Sequence, residues 1–209
     1  MADLDSTFEE YTRPDRDKYF KDGYDQFAPF IKFVKRFERE VDAKVAIHFI
    51  SGTSKTDFCE RVNFFKEKYP EIYERIAEGI VERGVVMSPK KLIKVDECSL
   101  DGAPYSKADA VYKIHSYYKF DNVVGACYMG DSSVDLPAFR MLKMFTYPLG
   151  SYTIAPKSSQ GPYMSTQVDF HSIYPRILGC TDGLVRMEKD ILQKINNNTK
   201  QESEMERGL

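Results

Sequence analysis

Two short apolar segments, each followed directly by polar residues, constrain the fold of this chain more than any other feature. VAIHFI spans residues 45–50 and precedes Ser51-Gly52, and VVGACYM spans 123–129 and precedes GDSSVD. Nearly continuous apolar runs rich in β-branched residues are typical of strands that are buried on both faces. Helix-like segments alternate with them, which predicts an α/β fold with a doubly wound parallel sheet. We interpret His48, inside the first run, as a core histidine with satisfied hydrogen bonds.

The remaining pattern predicts further helices and strands. Apolar residues at helical spacing favour helices over 24–40 and 106–120. Residues 56–84 suggest two helices, divided near Pro70 and closed by Gly84. The other predicted elements are strand character over 85–95 with a break at Ser88-Pro89, a helix over 136–144, a strand over 145–148, a loop to Thr166 and a last helix from Asp182.

Length, composition and charge limit the classes of protein to consider. The 209 residues fit one α/β domain over 1–195, with room for a small cap insertion within 54–106, and residues 196–209 suggest a polar, disordered tail. A net charge of -2 provides no electropositive surface for nucleic acid. No segment is typical of a signal peptide or a membrane span, and the four cysteines are widely spaced. These features together favour a cytoplasmic protein.

The segment GDSSVD, residues 130–135, carries the first candidate site residues. Ligands of parallel sheets bind at the carboxyl ends of the strands, where loops lead into helices. Asp131 would lie at that edge, and Asp135 would face the same side once a helix begins. Because Mg²⁺ prefers carboxylate oxygens, both are candidates for a metal site. An ordinary helix N-cap would explain the same residues and stays open as the alternative.

Ser51, Gly52 and Lys107 are candidates for binding an anion. Ser51 and Gly52 follow a strand at the same edge, where N–H groups and a hydroxyl suit a phosphate, although a turn with a capping serine fits equally. Lys107 lies at the start of a predicted helix, where the helix dipole disfavours a cation. A carboxylate or phosphate partner would explain this position of Lys107.

The opening segment MADLDSTF allows two interpretations. The first residues of a chain are commonly poorly ordered, which favours a frayed acidic terminus. Asp3, Asp5 and Thr7 also form the pattern D-x-D-x-T, and a catalytic loop is the competing interpretation. The other motifs decide between the two, because a catalytic loop needs partners elsewhere in the chain.

Four segments, in order along the chain, resemble the four motifs of the haloacid dehalogenase superfamily of phosphotransferases. They are DLDST, the strand that ends in Ser51, the helix that starts near Lys107, and GDSSVD. The segments KADAVYKI, GDSSVDLPAF and DGLVRMEKDIL are similar to its Cof-type sugar-phosphatase branch. The resemblance implies a Rossmann-like core with little or no cap. In that family a buried strand carries the first motif. Since only Met1 and Ala2 precede Asp3, we expect that strand to be missing or reduced to a stub.

The resemblance also implies catalytic roles. Asp3 would be the nucleophile that becomes a phosphoaspartate, and Asp5 would act as general acid and then as general base. Ser51 and Gly52 would hold the phosphoryl group. Lys107 would bind the same group and neutralise charge beside Asp3.

The same resemblance implies Mg²⁺ as the cofactor. Asp3, the main-chain carbonyl of Asp5 and Asp131 would bind the ion, and Asp135 would support this set of ligands. These roles predict a phosphomonoesterase acting on a small phosphorylated metabolite, such as a sugar phosphate. A reduced cap implies an open site, which either a subunit partner in a homo-oligomer would complete or a bulky substrate would occupy. The alternative is a catalytically impaired member of the family that serves as a ligand- or partner-binding scaffold.

Overall fold

The computed structural model describes residues 1–3, 27–51, 67, 70, 76–80, 85–87, 92–94, 107–118, 121–131, 133–156, 167–172 and 177–207. The strands among them are β1 (Ala2–Asp3), β2 (Ile47–Ser51), β3 (Ile76–Ile80), β4 (Val85–Met87), β5 (Leu92–Lys94), β6 (Ala126–Met129), β7 (Ser151–Pro156) and β8 (Phe170–Ser172). The helices are α1 (Phe27–Val41), α2 (Lys107–Tyr117), α3 (Leu136–Lys143) and α4 (Ile177–Arg207). A 3₁₀ turn at Ser133–Asp135 leads directly into α3.

Six strands form one sheet in the order β3-β2-β1-β6-β7-β8, and every neighbouring pair is parallel. The predicted α/β fold, with a parallel sheet packed against helices, is confirmed at this level. β4 and β5 form a separate antiparallel pair, and the predicted break at Ser88-Pro89 lies outside the described residues.

β1 is short but lies in the middle of this sheet. Ala2 and Asp3 pair with β2 on one side, and Ala2 also pairs with Met129 of β6. The main-chain N–H of Met129 donates to the carbonyl of Met1 at 3.0 Å. The strand expected to be missing or reduced to a stub is therefore present as two paired residues, and Met1, Ala2 and Asp3 are not frayed.

Helices cover both faces of the sheet because its strands are apolar on both sides. On one face α1 and α4 pack on the sheet, and this first core includes Phe30, Val34, Ile47, Met129, Ile154, Leu184 and Met187. On the other face α2 and α3 form a second core, which includes Ile50, Ala110, Val111, Tyr128, Phe139 and Leu142. Consecutive residues of β6 contribute to opposite cores, as the alternation of side chains in a strand requires.

Two predicted elements are wrong. The predicted helix through 76–80 is replaced by β3, each residue of which pairs with β2. This pairing in the sheet outweighs the helical spacing of apolar residues in 56–84, since local propensity is a weak guide. The predicted strand at 145–148 is a turn, and the strand begins at Ser151. Gly150 has φ of 107°, which glycine adopts readily, so the chain reverses here before β7 starts.

α4 is longer than predicted at both ends. It begins at Ile177 rather than at Asp182, and it continues to Arg207 through most of the expected disordered tail. A Cβ on Gly183 would lie 2.5 Å from Cγ2 of Ile154, so the glycine allows α4 to approach β7 closely. The Asp182-Gly183 pair therefore marks a helix–sheet contact and not a helix start. Among the described helices, none combines the length and apolar character needed to cross a bilayer.

Candidate functional site

The main chains of Asp3, Ser51 and Asp131 come together at the carboxyl edge of the sheet. Asp3 lies level with the second-to-last residue of β2, so Ser51 is one residue further along that strand. On the other side of β1, Ala2 lies level with the last residue of β6, and Asp131 follows two residues later. Sequence reasoning predicted that these residues share one edge, and the strand pairing agrees.

The structure describes some of the predicted site residues in full, some by their main chain alone, and some not at all. Asp3 and Ser51 are described by their main chains, whereas Asp5 and Gly52 lie outside the described residues. The side-chain geometry of this edge is therefore the geometry around Lys107, Asp131 and Asp135.

Lys107 and Asp135 form a buried ion pair. The Nζ of Lys107 donates to Oδ1 of Asp135 at 2.8 Å, and the side chains are 11% and 0% exposed. Because a buried charge is costly without a partner, each group offsets the cost of burying the other. The position of Lys107 at a helix start predicted an anionic partner, and this partner is the carboxylate of Asp135.

Two further donors hold the Asp135 carboxylate. The hydroxyl of Tyr128 donates to Oδ1 at 2.9 Å, and the main-chain N–H of Asp131 donates to Oδ2 at 3.2 Å. Asp135 occupies the N-cap position of α3, but its side chain makes no capping hydrogen bond. The helix-cap alternative is therefore excluded for Asp135, whose carboxylate instead joins α2, β6 and the loop after β6.

Gly130 makes room for this arrangement. A Cβ at this position would lie 2.5 Å from Cγ of Asp135. The main-chain N–H of Gly130 donates to the carbonyl of Ile154 at 3.1 Å, which keeps the turn attached to β7. The glycine of GDSSVD is thus required for space, since any side chain would displace the carboxylate.

Comparisons of the chain with protein-family models, with curated proteins and with solved structures find no match. The resemblance of its four motifs to the haloacid dehalogenase superfamily therefore stays a prediction.

Tyr128 is the residue of this site that the sequence analysis missed. It is fully buried, and its ring packs edge-on against Phe139 with centroids 5.4 Å apart. The available signal was a tyrosine inside an apolar strand, because a buried tyrosine hydroxyl usually finds a hydrogen-bond partner. A carboxylate seven residues later in the chain was the partner to look for.

The described side chains at this edge do not form a complete metal site. Among the side chains that the structure describes, no three metal-binding groups lie together. Both oxygens of Asp135 accept hydrogen bonds, which favours a positioning role over direct coordination. Asp131 is partly exposed and lies two residues beyond the end of β6, near the main chain of Asp3. A carboxylate such as that of Asp131 is the type of ligand that hard cations prefer.

Proposed function

We propose that this chain is a magnesium-dependent phosphomonoesterase of the haloacid dehalogenase type, with a doubly wound, Rossmann-like core and little or no cap. The main support is the buried contact between Lys107 and Asp135, at the edge where the main chains of Asp3 and Asp131 meet. Helix caps alone would not require a lysine on α2 to pair with a carboxylate at the start of α3.

In the first step, a carboxylate oxygen of Asp3 attacks the phosphorus of the substrate and the ester P–O bond breaks. The carboxylic acid of Asp5 gives its proton to the leaving alkoxide, which departs as an alcohol. In the second step, Asp5 takes a proton from water, and the water oxygen attacks the phosphoaspartate. Inorganic phosphate leaves and Asp3 is regenerated. Two displacements through a covalent intermediate replace one slow hydrolysis.

Lys107 counters the negative charge that gathers in both steps. Its position is fixed by Asp135, which is in turn held by Tyr128 and by the main chain of Asp131. A cation that is held in place before the reaction stabilises the transition state without reorganisation. Ser51 and Gly52, at the end of β2, are suited to hold the phosphoryl oxygens through a hydroxyl and N–H groups.

Asp3, the carbonyl of Asp5 and Asp131 would hold the magnesium ion, and Asp135 would support them. The ion would offset the repulsion between an anionic nucleophile and an anionic substrate. Asp135 contributes by accepting the N–H of Asp131, which fixes the loop that carries this ligand.

A small phosphorylated metabolite, such as a sugar phosphate, is the substrate class that we propose. Between β2 and α2, the described elements outside the main sheet are the short strands β4 and β5. The small insertion that we predict within 54–106 would leave an open site, or one that a second subunit completes.

Hydrolysis of an aryl phosphate with and without Mg²⁺ tests the proposal, with Asp3→Asn as the decisive variant. We expect magnesium-dependent phosphate release that is lost in Asp3→Asn while the circular dichroism spectrum stays unchanged. Asp121→Asn is the matched control, because Asp121 is exposed and lies before β6, at the opposite end of the strands. It should retain the activity of the original chain.

Equal turnover in Asp3→Asn would overturn the proposed mechanism. If the folded chain shows no turnover over a broad panel of phosphate esters, the result would favour the catalytically impaired scaffold.

A further inference from the structure

One oxygen of the Asp135 carboxylate, Oδ1, accepts hydrogen bonds from two side chains. The Nζ of Lys107 lies 2.8 Å from it, and the hydroxyl oxygen of Tyr128 lies 2.9 Å from it. The other oxygen, Oδ2, accepts the main-chain N–H of Asp131. Asp135 and Tyr128 are both fully buried, so bulk solvent does not compete for these bonds. The hydroxyl and the ammonium group therefore share a single anionic oxygen.

The packing of Tyr128 gives its hydroxyl a fixed position. Tyr128 belongs to β6, where it pairs with Thr153 of β7. Its ring packs edge-on against Phe139 of α3, with the centroids 5.4 Å apart. A side chain that is held by both the sheet and α3 has little freedom to follow a movement of its acceptor. The hydroxyl of Tyr128 therefore fixes where Asp135, at the start of α3, holds its carboxylate.

The shared oxygen limits how strongly Asp135 attracts Lys107. Coulomb attraction is strong where solvent is largely excluded, and the side chain of Lys107 is 11% exposed. If Oδ1 accepted a bond from the lysine alone, the ammonium group would lie closer to the carboxylate and would attract a second anion less. The hydroxyl takes up part of the accepting capacity of Oδ1. Lys107 is therefore held in position while part of its attraction for a phosphoryl group remains.

We propose that Tyr128 is a positioning residue for the catalytic lysine: by sharing Oδ1 of Asp135, its hydroxyl keeps Lys107 in place with its charge directed to the transferring phosphoryl group. The inference rests on the proposed function, in which Lys107 counters the charge that gathers in the transition state. Tyr128 is fully buried beside Asp135 and acts through Lys107 without touching the substrate. An effect on the transition state alone lowers kcat and leaves substrate binding unchanged.

The first test is steady-state hydrolysis of an aryl phosphate by Tyr128→Phe at saturating Mg²⁺. We expect kcat to fall about tenfold, which corresponds to about 1.4 kcal/mol in the barrier. The KM should change by less than about twofold, because the ground-state contacts of the substrate are kept. A higher concentration of Mg²⁺ should not restore kcat. Full recovery at higher Mg²⁺ would mean that Tyr128 acts through the loop of Asp131, and it would overturn the proposal.

Tyr118→Phe is the matched control, because it removes a tyrosine hydroxyl beyond the other end of α2. That hydroxyl lies 2.9 Å from Nε2 of His48, which is 2% exposed. Nδ1 of His48 is buried without a hydrogen-bond partner among the described residues, so the prediction of a satisfied core histidine is wrong. We expect Tyr118→Phe to lower the stability and to leave kcat within about twofold of the original value. Equal losses of kcat in Tyr128→Phe and Tyr118→Phe would overturn the proposal, since general destabilisation would explain both.

A second test does not depend on turnover. The ammonium signal of Lys107 in nuclear magnetic resonance is assigned by its loss in Lys107→Met. In Tyr128→Phe we expect this proton signal to move downfield, because Lys107 then has Oδ1 of Asp135 to a greater extent and the hydrogen bond strengthens. Tyr118→Phe should leave the signal in place. An unchanged or upfield signal in Tyr128→Phe overturns the proposal. If the original chain hydrolyses no phosphate ester, the proposed function fails, and this signal alone then decides whether Tyr128 controls the position of Lys107.

Discussion

The Nζ of Lys107 lies 2.8 Å from Oδ1 of Asp135, a carboxylate that is fully buried. This contact joins the first residue of α2 to the start of α3, although the two residues are 28 positions apart in the chain. Tyr128 and the main chain of Asp131 bind the same carboxylate. Asp135 is therefore the centre of a hydrogen-bond network, and a substitution of one member should alter the positions of the others.

Removal of the lysine should be costly. Lys107→Met leaves the Asp135 carboxylate buried without its cation, so we expect a loss of about 3 kcal/mol in the free energy of unfolding. In the double variant Lys107→Met, Asp135→Asn the charge is also removed, and we expect recovery of more than about 1 kcal/mol. Urea unfolding of the two single variants and the double variant measures this coupling. Strictly additive losses would contradict a functional ion pair.

An exposed ion pair provides the comparison. Lys143 pairs with Asp169, and the two side chains are 34% and 32% exposed. Solvent screening limits the value of such a pair, so Lys143→Met should cost no more than about 1 kcal/mol. A loss as large as that of Lys107→Met would mean that burial is not what distinguishes the two pairs.

The hydroxyl of Tyr128 should contribute to both stability and metal affinity. Tyr128→Phe removes a buried donor to a charged acceptor, for which a loss of about 1.5–3 kcal/mol is expected. Tyr112 is 43% exposed, and Tyr112→Phe should change the free energy of unfolding by less than about 0.5 kcal/mol. Calorimetric titration with Mg²⁺ should show weaker binding to Tyr128→Phe, because Asp135 orients the loop that carries Asp131. Unchanged stability would show that the hydroxyl does not support the carboxylate.

Gly130 and Gly125 differ in the space that a methyl group would find. Gly130→Ala would place a Cβ 2.5 Å from Cγ of Asp135, whereas the nearest atom to a Cβ at Gly125 is 3.5 Å away. We expect Gly130→Ala to cost about 1–3 kcal/mol and to abolish the phosphatase activity that we propose, because the Asp135 carboxylate must move. Gly125→Ala should remain close to the original chain in both respects. Thermal unfolding and the aryl phosphate assay compare the two.

The positions of Asp131 and Asp135 could be predicted because one simple rule governs them. Residues that follow apolar parallel strands lie at the same sheet edge, and local sequence identifies such strands well. The network around Asp135 was harder to predict, since Tyr128 belongs to a strand whose other residues only pack. Its hydroxyl has an acceptor only because the following turn brings the carboxylate of Asp135 close to it.

The errors at β3 and at 145–148 have a common cause. Residues 76–80 contain alanine and glycine and have no strong preference for a strand, and their pairing with β2 decides their conformation. In β7, flanking glycine and proline suggested a loop, but Tyr152 and Ile154 are buried between neighbouring strands and helices. Tertiary contacts of this kind are not encoded in a local window of sequence.

The buried imidazole of His48 should make the chain less stable in mild acid. Its pKa in the folded chain is lowered to about 3, chiefly by burial and also by the amino group of Met1, while the unfolded value is about 6.5. As the pH falls below about 6.5, His48 becomes protonated in the unfolded state but stays neutral in the folded state. The stability linked to the neutral imidazole is therefore fully present above about pH 6.5 and is lost toward about pH 3. From about pH 7 to about pH 5, this group should cost about 2 kcal/mol. Urea unfolding of the original chain and of His48→Phe at both pH values isolates the contribution, because all other groups are common to the two proteins. The variant should lose about 2 kcal/mol less, and equal losses would mean that His48 is protonated within the folded chain.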